Sequence, residues 1–294
     1  MLPERGFFMS VKIIADTACD LPEEMIKNYE IITAPLLVYP EGHEDQAEKN
    51  DDPKIIYDGM RDGKVYKTAQ VPPNYFEKIF KNLAEDNEEA IYIAFSSELS
   101  GTYQSSVVVK NKIDEEYGDF DLDIIDSRCA SLGYGLIVYK AAKMAQEGKS
   151  KEEILNVIEH DKEHMEHIFT VDNLKYLRRG GRVSRTAAFV GGLLNIKPIL
   201  DVQDGKLEPL EEKRGRNKVL DRIIEIMEER GNNLDQQIIG ISHGDDLEGA
   251  KKLKQMIQNK FKPKGYIINM IGSVIGAHSG PGTLGIYFLN DTNY

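Results

Sequence analysis

Short apolar segments alternate with longer helical segments through the first half of the chain, and this alternation constrains the fold more than any other feature. We predict strands at residues 11–15, 31–39, 90–95 and 122–125. Helices are predicted at about residues 53–61, 73–84, 102–116 and 132–147. Asp20, followed by Pro22 and Glu23, is typical of a helix N-cap. Strand–helix units in series favour a parallel sheet with helices on both faces.

The second half of the chain has a different pattern. Two strand-like segments, 198–202 and 206–210, flank Asp204-Gly205, a dipeptide typical of a β-hairpin turn. Apolar stripes predict helices near 219–227 and 247–257, and later strands are predicted at 238–241, 266–271 and 283–289. A hairpin combined with helices indicates a mixed sheet. We expect an N-terminal extension at 1–10, one domain at 11–165 and a second at 166–294.

Charge and composition exclude several classes of protein. Lys and Arg number 37 and Asp and Glu 49, so the net charge of −12 disfavours nucleic-acid binding. No segment approaches the ~18 apolar residues that a membrane span needs. Cys19 and Cys129 are far apart and belong to no metal-binding motif, which fits a reducing compartment. The first ten residues lack the apolar core of a secretory signal, so we expect a cytoplasmic protein.

The segment SSELSGT at residues 96–102 follows a predicted buried strand and opens a helix. Backbone N–H groups at a helix start suit an anion, and Ser97, Ser100 and Thr102 add hydroxyl donors beside Gly101. Because the segment has no Lys or Arg, it suits a carboxylate better than a triphosphate. The alternative, which is the commoner outcome for such a segment, is that the serines only cap the helix.

The segment IGAHSGPGT at residues 275–283 surrounds one histidine with three glycines and a proline. Glycines such as Gly280 let the backbone approach a ligand closely, and His278 can donate a hydrogen bond to a carboxylate. The alternative is a tight loop whose histidine is satisfied within the protein.

Four arginines stand close together in this acidic chain, in the segment LKYLRRGGRVSR at residues 174–185. They are Arg178, Arg179, Arg182 and Arg185. Such a group can dock an acidic partner or attract phosphates, although it is also typical of a solvated helix end. The apolar segment 187–199 that follows fits either the wall of a cavity or ordinary core.

Two patterns typical of catalytic sites occur in part, and their surroundings favour neither. His160 and His164 belong to an HxxEH pattern, which occurs in an inverted class of zinc proteases. The surrounding segment is polar on all sides, which indicates a solvent-facing helix, so we expect no metal. No GxSxG nucleophile elbow is present, and a nucleophilic role for Ser100 would depend on its proximity to His278.

Seven motifs in order resemble the DegV family of bacterial fatty-acid-binding proteins, from about residue 11 to residue 289. Any one of them is weak evidence, and all seven in order are specific. They are ADTACDLP, TAQVPP, SSELSGTYQS, DSRCASLGYG, LKYLRRGGRVS, KPIL and IGAHSGPGTLGI.

The resemblance implies a three-layer α/β/α N-terminal domain with a parallel sheet and a two-layer α/β C-terminal domain with a mixed sheet. An acyl chain would lie between the domains. The family's carboxylate ligands map onto Thr68, Ser100 and His278, with Ser97, Gly101, Thr102 and Gly280 as secondary candidates. The sequence departs from the family pattern at four positions, which are Thr17, Ala69, Val71 and Ser279.

The resemblance also implies a function. The protein would be a non-catalytic carrier, without a cofactor, that presents a long-chain fatty acid to the kinase subunit of a fatty acid kinase system. The acyl phosphate would serve phospholipid synthesis, the arginines Arg178, Arg179, Arg182 and Arg185 would meet the kinase, and transient contact with a membrane surface stays open. The alternative is an enzyme, either a serine hydrolase or a small-molecule kinase, acting on a small carboxylate or polyol. A third hypothesis is a protein–protein adaptor with an empty pocket.

Overall fold

The computed structural model describes residues 11–47, 52–183 and 195–293, and its strands form two large sheets and one two-stranded ribbon. The strands within these residues are β1 (Lys12–Asp16), β2 (Ile32–Ala34), β3 (Leu37–Pro40), β4 (Tyr66–Ala69), β5 (Ala90–Ala94), β6 (Leu122–Asp126), β7 (Met165–Thr170), β8 (Ile196–Gln203), β9 (Lys206–Arg214), β10 (Ile238–His243), β11 (Gly265–Met270) and β12 (Leu284–Leu289). The helices are α1 (Glu23–Asn28), α2 (Pro53–Arg61), α3 (Pro73–Asp86), α4 (Thr102–Tyr117), α5 (Ser131–Gln146), α6 (Lys151–His164), α7 (Lys175–Gly180), α8 (Arg216–Arg230), α9 (Leu247–Lys260) and α10 (Ser273–Ser279).

The first sheet is parallel, as the alternation of strands and helices predicts. Its strand order is β2-β1-β5-β6, and each neighbouring pair runs in the same direction. All five residues of β5, AIYIA, are buried. A continuous apolar run of this kind suits a strand that is covered on both faces. The carboxyl end of β5 leads directly into the residues that precede α4, where the SSELSGT motif lies.

The second sheet is mixed and has the strand order β11-β10-β12-β7-β8-β9. β10 and β11 are parallel, whereas the other neighbouring pairs are antiparallel. Asp204 and Gly205 connect β8 to β9 with φ angles of 48° and 81°, the left-handed conformation that a tight hairpin turn requires. The predicted mixed sheet and its hairpin are both confirmed.

Helix α5 contacts strands of both sheets. It packs on β1 of the first sheet and on β7, β10 and β12 of the second. Its sequence is apolar on most sides, and eleven of its sixteen residues are buried. Gly135 allows the closest approach, because a Cβ added there would lie 2.2 Å from the backbone oxygen of Cys19. The helix therefore packs against both sheets and connects them.

The predicted strand at 31–39 is interrupted. Pro35 lies between β2 and β3, and β3 leaves the parallel sheet to pair with β4 in an antiparallel ribbon. Pro lacks the backbone N–H that a central strand must donate, which explains the break. β4, with the sequence YKTA, was not predicted, because it is short and has no β-strand pattern. In the ribbon, Thr68 of β4 pairs with Val38 of β3.

Asp20 is not the N-cap of the following helix, contrary to the prediction. Its φ is 51°, and α1 begins three residues later with Pro22 in the N-cap position. The Asp20 carboxylate instead accepts hydrogen bonds from Ser131 Oγ at 2.5 Å and from the backbone N–H of Gly272 at 2.9 Å. Asp20 therefore joins the starts of α5 and α10. The segment predicted as a glycine-rich loop is also different, since its first part belongs to α10.

The cores of the two sheets meet at the helices between them. One large apolar cluster surrounds the first sheet and α5 and also includes Ile267, Val274 and Tyr287 from the second half of the chain. A second cluster lies between the mixed sheet and the helices α8 and α9. β7, the first strand of the mixed sheet along the chain, begins at Met165. Among the helices that the structure describes, none combines the length and apolarity needed to cross a membrane.

Candidate ligand-binding site

A cavity that is partly open to solvent lies between the two sheets. Its walls are largely apolar and come from both halves of the chain: Leu36, Phe95, Leu99, Phe169, Leu177, Val202, Leu207, Ile271, Val274 and Ile275. Thr68, Ser100 and His278 also line it, together with Gly101, Gln70 and Arg182. A large apolar pocket with a few convergent polar groups is the usual form of a small-molecule site.

Thr68 and His278 are in direct contact, although 210 residues separate them in the chain. Thr68 Oγ1 lies 2.8 Å from His278 Nε2. Thr68 is carried by the ribbon strand β4, and His278 lies in the last turn of α10. α10 packs against both ribbon strands, so the ribbon brings the hydroxyl to the imidazole.

Ser100 reaches the same cavity from the end of β5. Its Oγ lies 2.8 Å from Thr102 Oγ1, which in turn accepts a hydrogen bond from the backbone N–H of Val71 at 3.3 Å. Thr102 is fully buried and orients the Ser100 hydroxyl. His278 Nε2 is bonded to Thr68 rather than to Ser100, so the structure holds no Ser100–His278 pair of the kind that a serine hydrolase would need.

His278 is uncharged at neutral pH. Burial lowers the pKa of His278 to about 4, and the positive charges of Arg182 and Lys67 act in the same direction. A neutral imidazole has one N–H to donate and one nitrogen that accepts. The site therefore offers hydrogen-bonding groups without a fixed positive charge on the ring.

Gly180 holds the His278 ring in place, a role that the sequence analysis missed. A Cβ added at Gly180 would lie 2.1 Å from His278 Nδ1, so the ring lies directly against the Cα of the glycine. Gly180 is the last residue of α7, inside the arginine-rich segment. The Gly180-Gly181 pair is visible in the sequence, but it was interpreted as part of the arginine-rich segment and not as space for a neighbouring ring.

The arginines of this segment lie in different environments. Arg182 lines the cavity, where its Nε donates to the backbone oxygen of Leu99 at 3.2 Å and its Nη1 to that of Gly180 at 2.6 Å. Arg178 and Arg179 are exposed on α7. Arg185 and most of the apolar segment 187–199 lie outside the described residues. Arg182 was predicted as a partner contact; it is exposed to solvent as well as lining the cavity, and a partner role for it stays a prediction.

The four secondary candidates differ in their position relative to the cavity. Gly101 lines the cavity, and its neighbour Thr102 lies behind Ser100. Ser97 is not among the described lining residues, because its Oγ donates to Asp126 Oδ2 at 2.5 Å and its N–H to Asp126 Oδ1. Gly280 also lies outside the lining, in a turn with a φ of 83° against the ring of Tyr176.

A second buried histidine, His167, lines the cavity and was not predicted as a site residue. Its Nε2 accepts from the backbone N–H of Ala130 at 3.2 Å, and its Nδ1 therefore donates to the backbone oxygen of Met165 at 3.0 Å. Burial lowers the pKa of His167 to about 4. Both ring nitrogens are hydrogen-bonded within the protein, so the role of His167 is to form part of the cavity wall.

Replacing Gly180 with Ala tests how His278 is held. The new methyl group needs the space that the imidazole occupies, so the ring should move toward solvent. We expect the pKa of His278, measured by NMR titration, to rise from about 4 toward the ordinary value near 6.5. Gly265→Ala is the matched control, because its new Cβ would make an ordinary contact 3.8 Å from Ile238. An unchanged His278 pKa in Gly180→Ala would contradict this packing.

The buried histidine also predicts a pH dependence. Because the pKa of His278 is lower in the folded state than in the unfolded chain, the unfolded chain binds more protons between pH 4 and 6.5. This group therefore destabilises the protein as pH falls through that window, by at most about 1.4 kcal/mol per pH unit. Relative to the natural protein, His278→Gln should gain stability in denaturant titrations as the pH is lowered from 6.5 to 4. A stability difference that stays constant with pH would refute a neutral, buried ring.

The chain is similar to known proteins over nearly its whole length. Residues 10–291 match the model of a family described as "Uncharacterised protein, DegV family". A DegV domain-containing protein of Clostridium perfringens, CPE0026, is 42% identical over 283 residues, which cover 95% of this chain and 97% of the relative.

Solved structures show the same fold. A DegV lipid-binding protein from Thermotoga maritima aligns with a TM-score of 0.83 at 31% identity, covering 95% of this chain and 98% of that one. A DegV family protein from Thermus thermophilus, described by its fatty acid binding, aligns with a TM-score of 0.85 at 27% identity, covering 95% and 99%. From its family match and its relatives over nearly its whole length, the chain belongs to the DegV family.

Proposed function

We propose that the protein binds one long-chain fatty acid, with the carboxylate at Thr68, Ser100 and His278 and the acyl chain along the apolar cavity. One observation carries the proposal. Three hydrogen-bonding side chains from separate segments line a cavity whose other walls are largely apolar. The ligand would lie between the proposed domains 11–165 and 166–294. Several relatives are themselves described as lipid- or fatty-acid-binding, which supports the same ligand class here.

The chemistry of the cavity favours an acyl chain over a small polar substrate. Each buried methylene contributes ~0.8 kcal/mol, so about fifteen methylenes supply on the order of 10 kcal/mol before costs. A charge-assisted hydrogen bond to the carboxylate adds about 1.5–3 kcal/mol before desolvation. The acyl chain therefore sets the affinity, and the polar groups set which end of the ligand lies near His278.

The neutral His278 suits a carboxylate that arrives with its own charge. The imidazole N–H and the hydroxyls of Thr68 and Ser100 can donate to the two oxygens, each of which accepts more than one hydrogen bond. A bound carboxylate favours the protonated ring, so binding should raise the pKa of His278 and take up protons at acidic pH. The guanidinium of Arg182, anchored to Leu99 and Gly180, adds positive potential at the cavity.

We further propose that the protein is a carrier rather than an enzyme, and that it presents the carboxylate to a kinase that forms an acyl phosphate. The exposed Arg178 and Arg179 on α7 adjoin Gly180, which contacts His278, and so are close to the carboxylate end of the cavity. They give α7 an exposed basic surface in a chain of net charge −12, which would favour an acidic region of the kinase. Arg182 and Arg185 follow in the sequence and are proposed as further kinase contacts.

Fatty-acid binding is tested with delipidated protein titrated calorimetrically with saturated fatty acids of increasing length. Affinity should rise roughly fourfold per added methylene until the cavity is filled. Ser100→Ala and Thr68→Val should each weaken binding by about tenfold, since each removes a donor to the carboxylate. Ser97→Ala is the matched control, because that hydroxyl bonds Asp126 outside the cavity. Affinity that is independent of chain length, or equal losses in Ser97→Ala and Ser100→Ala, would contradict the proposal.

The carrier role is tested separately with a bacterial fatty acid kinase subunit, ATP and the lipid-loaded protein. We expect Arg179→Glu to abolish acyl-phosphate formation while the fatty acid still co-purifies, because the residue is exposed outside the cavity. Lys251→Glu, an exposed charge reversal on α9, should leave product formation unchanged. Loss of the bound lipid in Arg179→Glu would show instead that the arginine serves the fold or the cavity.

A further inference from the structure

Two histidines and one aspartate lie together away from the cavity. His160 and His164 occupy successive turns at the end of α6, with ring centroids 4.5 Å apart. Asp291 follows β12 and reaches the same place from the far end of the chain. One potential ligand atom from each of the three residues lies within 4.8 Å of the other two. All three residues are partly buried.

The hydrogen bonds around His164 fix its tautomer. The side-chain amide of Asn290 donates through Nδ2 to Glu166 Oε1 at 2.8 Å, so its Oδ1 faces the histidine as an acceptor. His164 Nδ1 lies 2.8 Å from that oxygen and must donate its proton to it. In the neutral ring the lone pair is then on Nε2, the atom that a metal ion would bind.

A hydrogen bond also fixes the tautomer of His160. Its Nδ1 lies 3.3 Å from Oδ1 of Asp161, a buried carboxylate that also pairs with Lys140 at 2.9 Å. A carboxylate can only accept here, so Nδ1 carries the proton and Nε2 the lone pair. Metal-ligating histidines characteristically donate their second N–H to a carboxylate or carbonyl oxygen in this way.

Asp291 is also held in position. Its Oδ1 accepts from the backbone N–H of Asn293 at 2.9 Å and from Asn293 Nδ2 at 2.6 Å. Both of these bonds use Oδ1, so neither of them occupies Oδ2. Two imidazoles and one carboxylate form a mixed nitrogen–oxygen donor set, which prefers Zn²⁺, Cu²⁺ or Ni²⁺ to Mg²⁺ or Ca²⁺.

We propose that His160, His164 and Asp291 form a binding site for a divalent transition-metal ion such as Zn²⁺, with a fourth position open to water. The ion would tie the end of α6 to the segment after β12, and it would stabilise the folded state because the unfolded chain cannot hold these groups together. The sequence analysis expected no metal, because it interpreted α6 as solvent-facing and could not see that Asp291 comes close to it.

The test uses the full-length, tag-free protein, stripped with a chelator and titrated with Zn²⁺. We expect one ion per chain and a rise in the melting temperature that Mg²⁺ does not reproduce. His164→Ala and Asp291→Asn should each weaken Zn²⁺ binding by about tenfold or more, and Asn290→Ala by about tenfold through the lost orientation of His164. His43→Ala, at an exposed histidine outside the cluster, is the control and should bind as tightly as the natural protein.

Co²⁺ supplies an independent signal, since its visible absorption reports nitrogen ligation and coordination number. We expect the spectrum of a four-coordinate ion in the natural protein and its loss in His164→Ala. Zn²⁺ affinity that is unchanged in both His164→Ala and Asp291→Asn would overturn the proposal, as would a Co²⁺ spectrum identical to that of the ion in water. Circular dichroism of the metal-free variants shows whether each one folds.

Discussion

Burial of an uncharged imidazole beside an apolar cavity is the constraint on which the proposed site depends. His278 stays neutral because its surroundings are desolvated and because Arg182 and Lys67 disfavour a second positive charge. The ring fits there because Gly180 has no side chain and because the ribbon brings Thr68 to Nε2. Two contacts of one side chain, His278, thus join α7, α10 and β4, three elements from distant parts of the sequence.

Polar contacts join segments around the cavity at defined points. Asp20 bonds the starts of α5 and α10, and Ser96 Oγ donates to the backbone oxygen of Gly205 in the β8–β9 turn at 2.8 Å. Burial raises the pKa of Asp20 to about 7, so the Asp20 carboxyl is partly protonated near neutral pH. Apolar side chains line the cavity between these contacts. A hydrocarbon bound there would make the packing contacts that neighbouring side chains make in a solid core.

The sequence predicted regular elements well and contacts between distant elements poorly. The buried run AIYIA, the Asp204-Gly205 turn and the apolar faces of α5 and α8 are local signals, and the structure confirms each of them. Asp20 was misassigned because a favourable cap sequence does not show that Ser131 and Gly272 compete for its carboxylate. Similarly, β4 has no β-strand pattern, and its role follows from pairing with β3. Gly180 was overlooked because the need for a missing side chain is visible only once His278 lies against it.

The most direct measurement is a crystal structure of the protein isolated with the lipid that it binds in its host. We expect one long-chain fatty acid per molecule, with carboxylate oxygens within hydrogen-bonding distance of Thr68, Ser100 and His278 and the acyl chain against Phe169 and Leu207. A ligand lying with its methyl end at His278, or side chains packed solidly where the chain should lie, would contradict it.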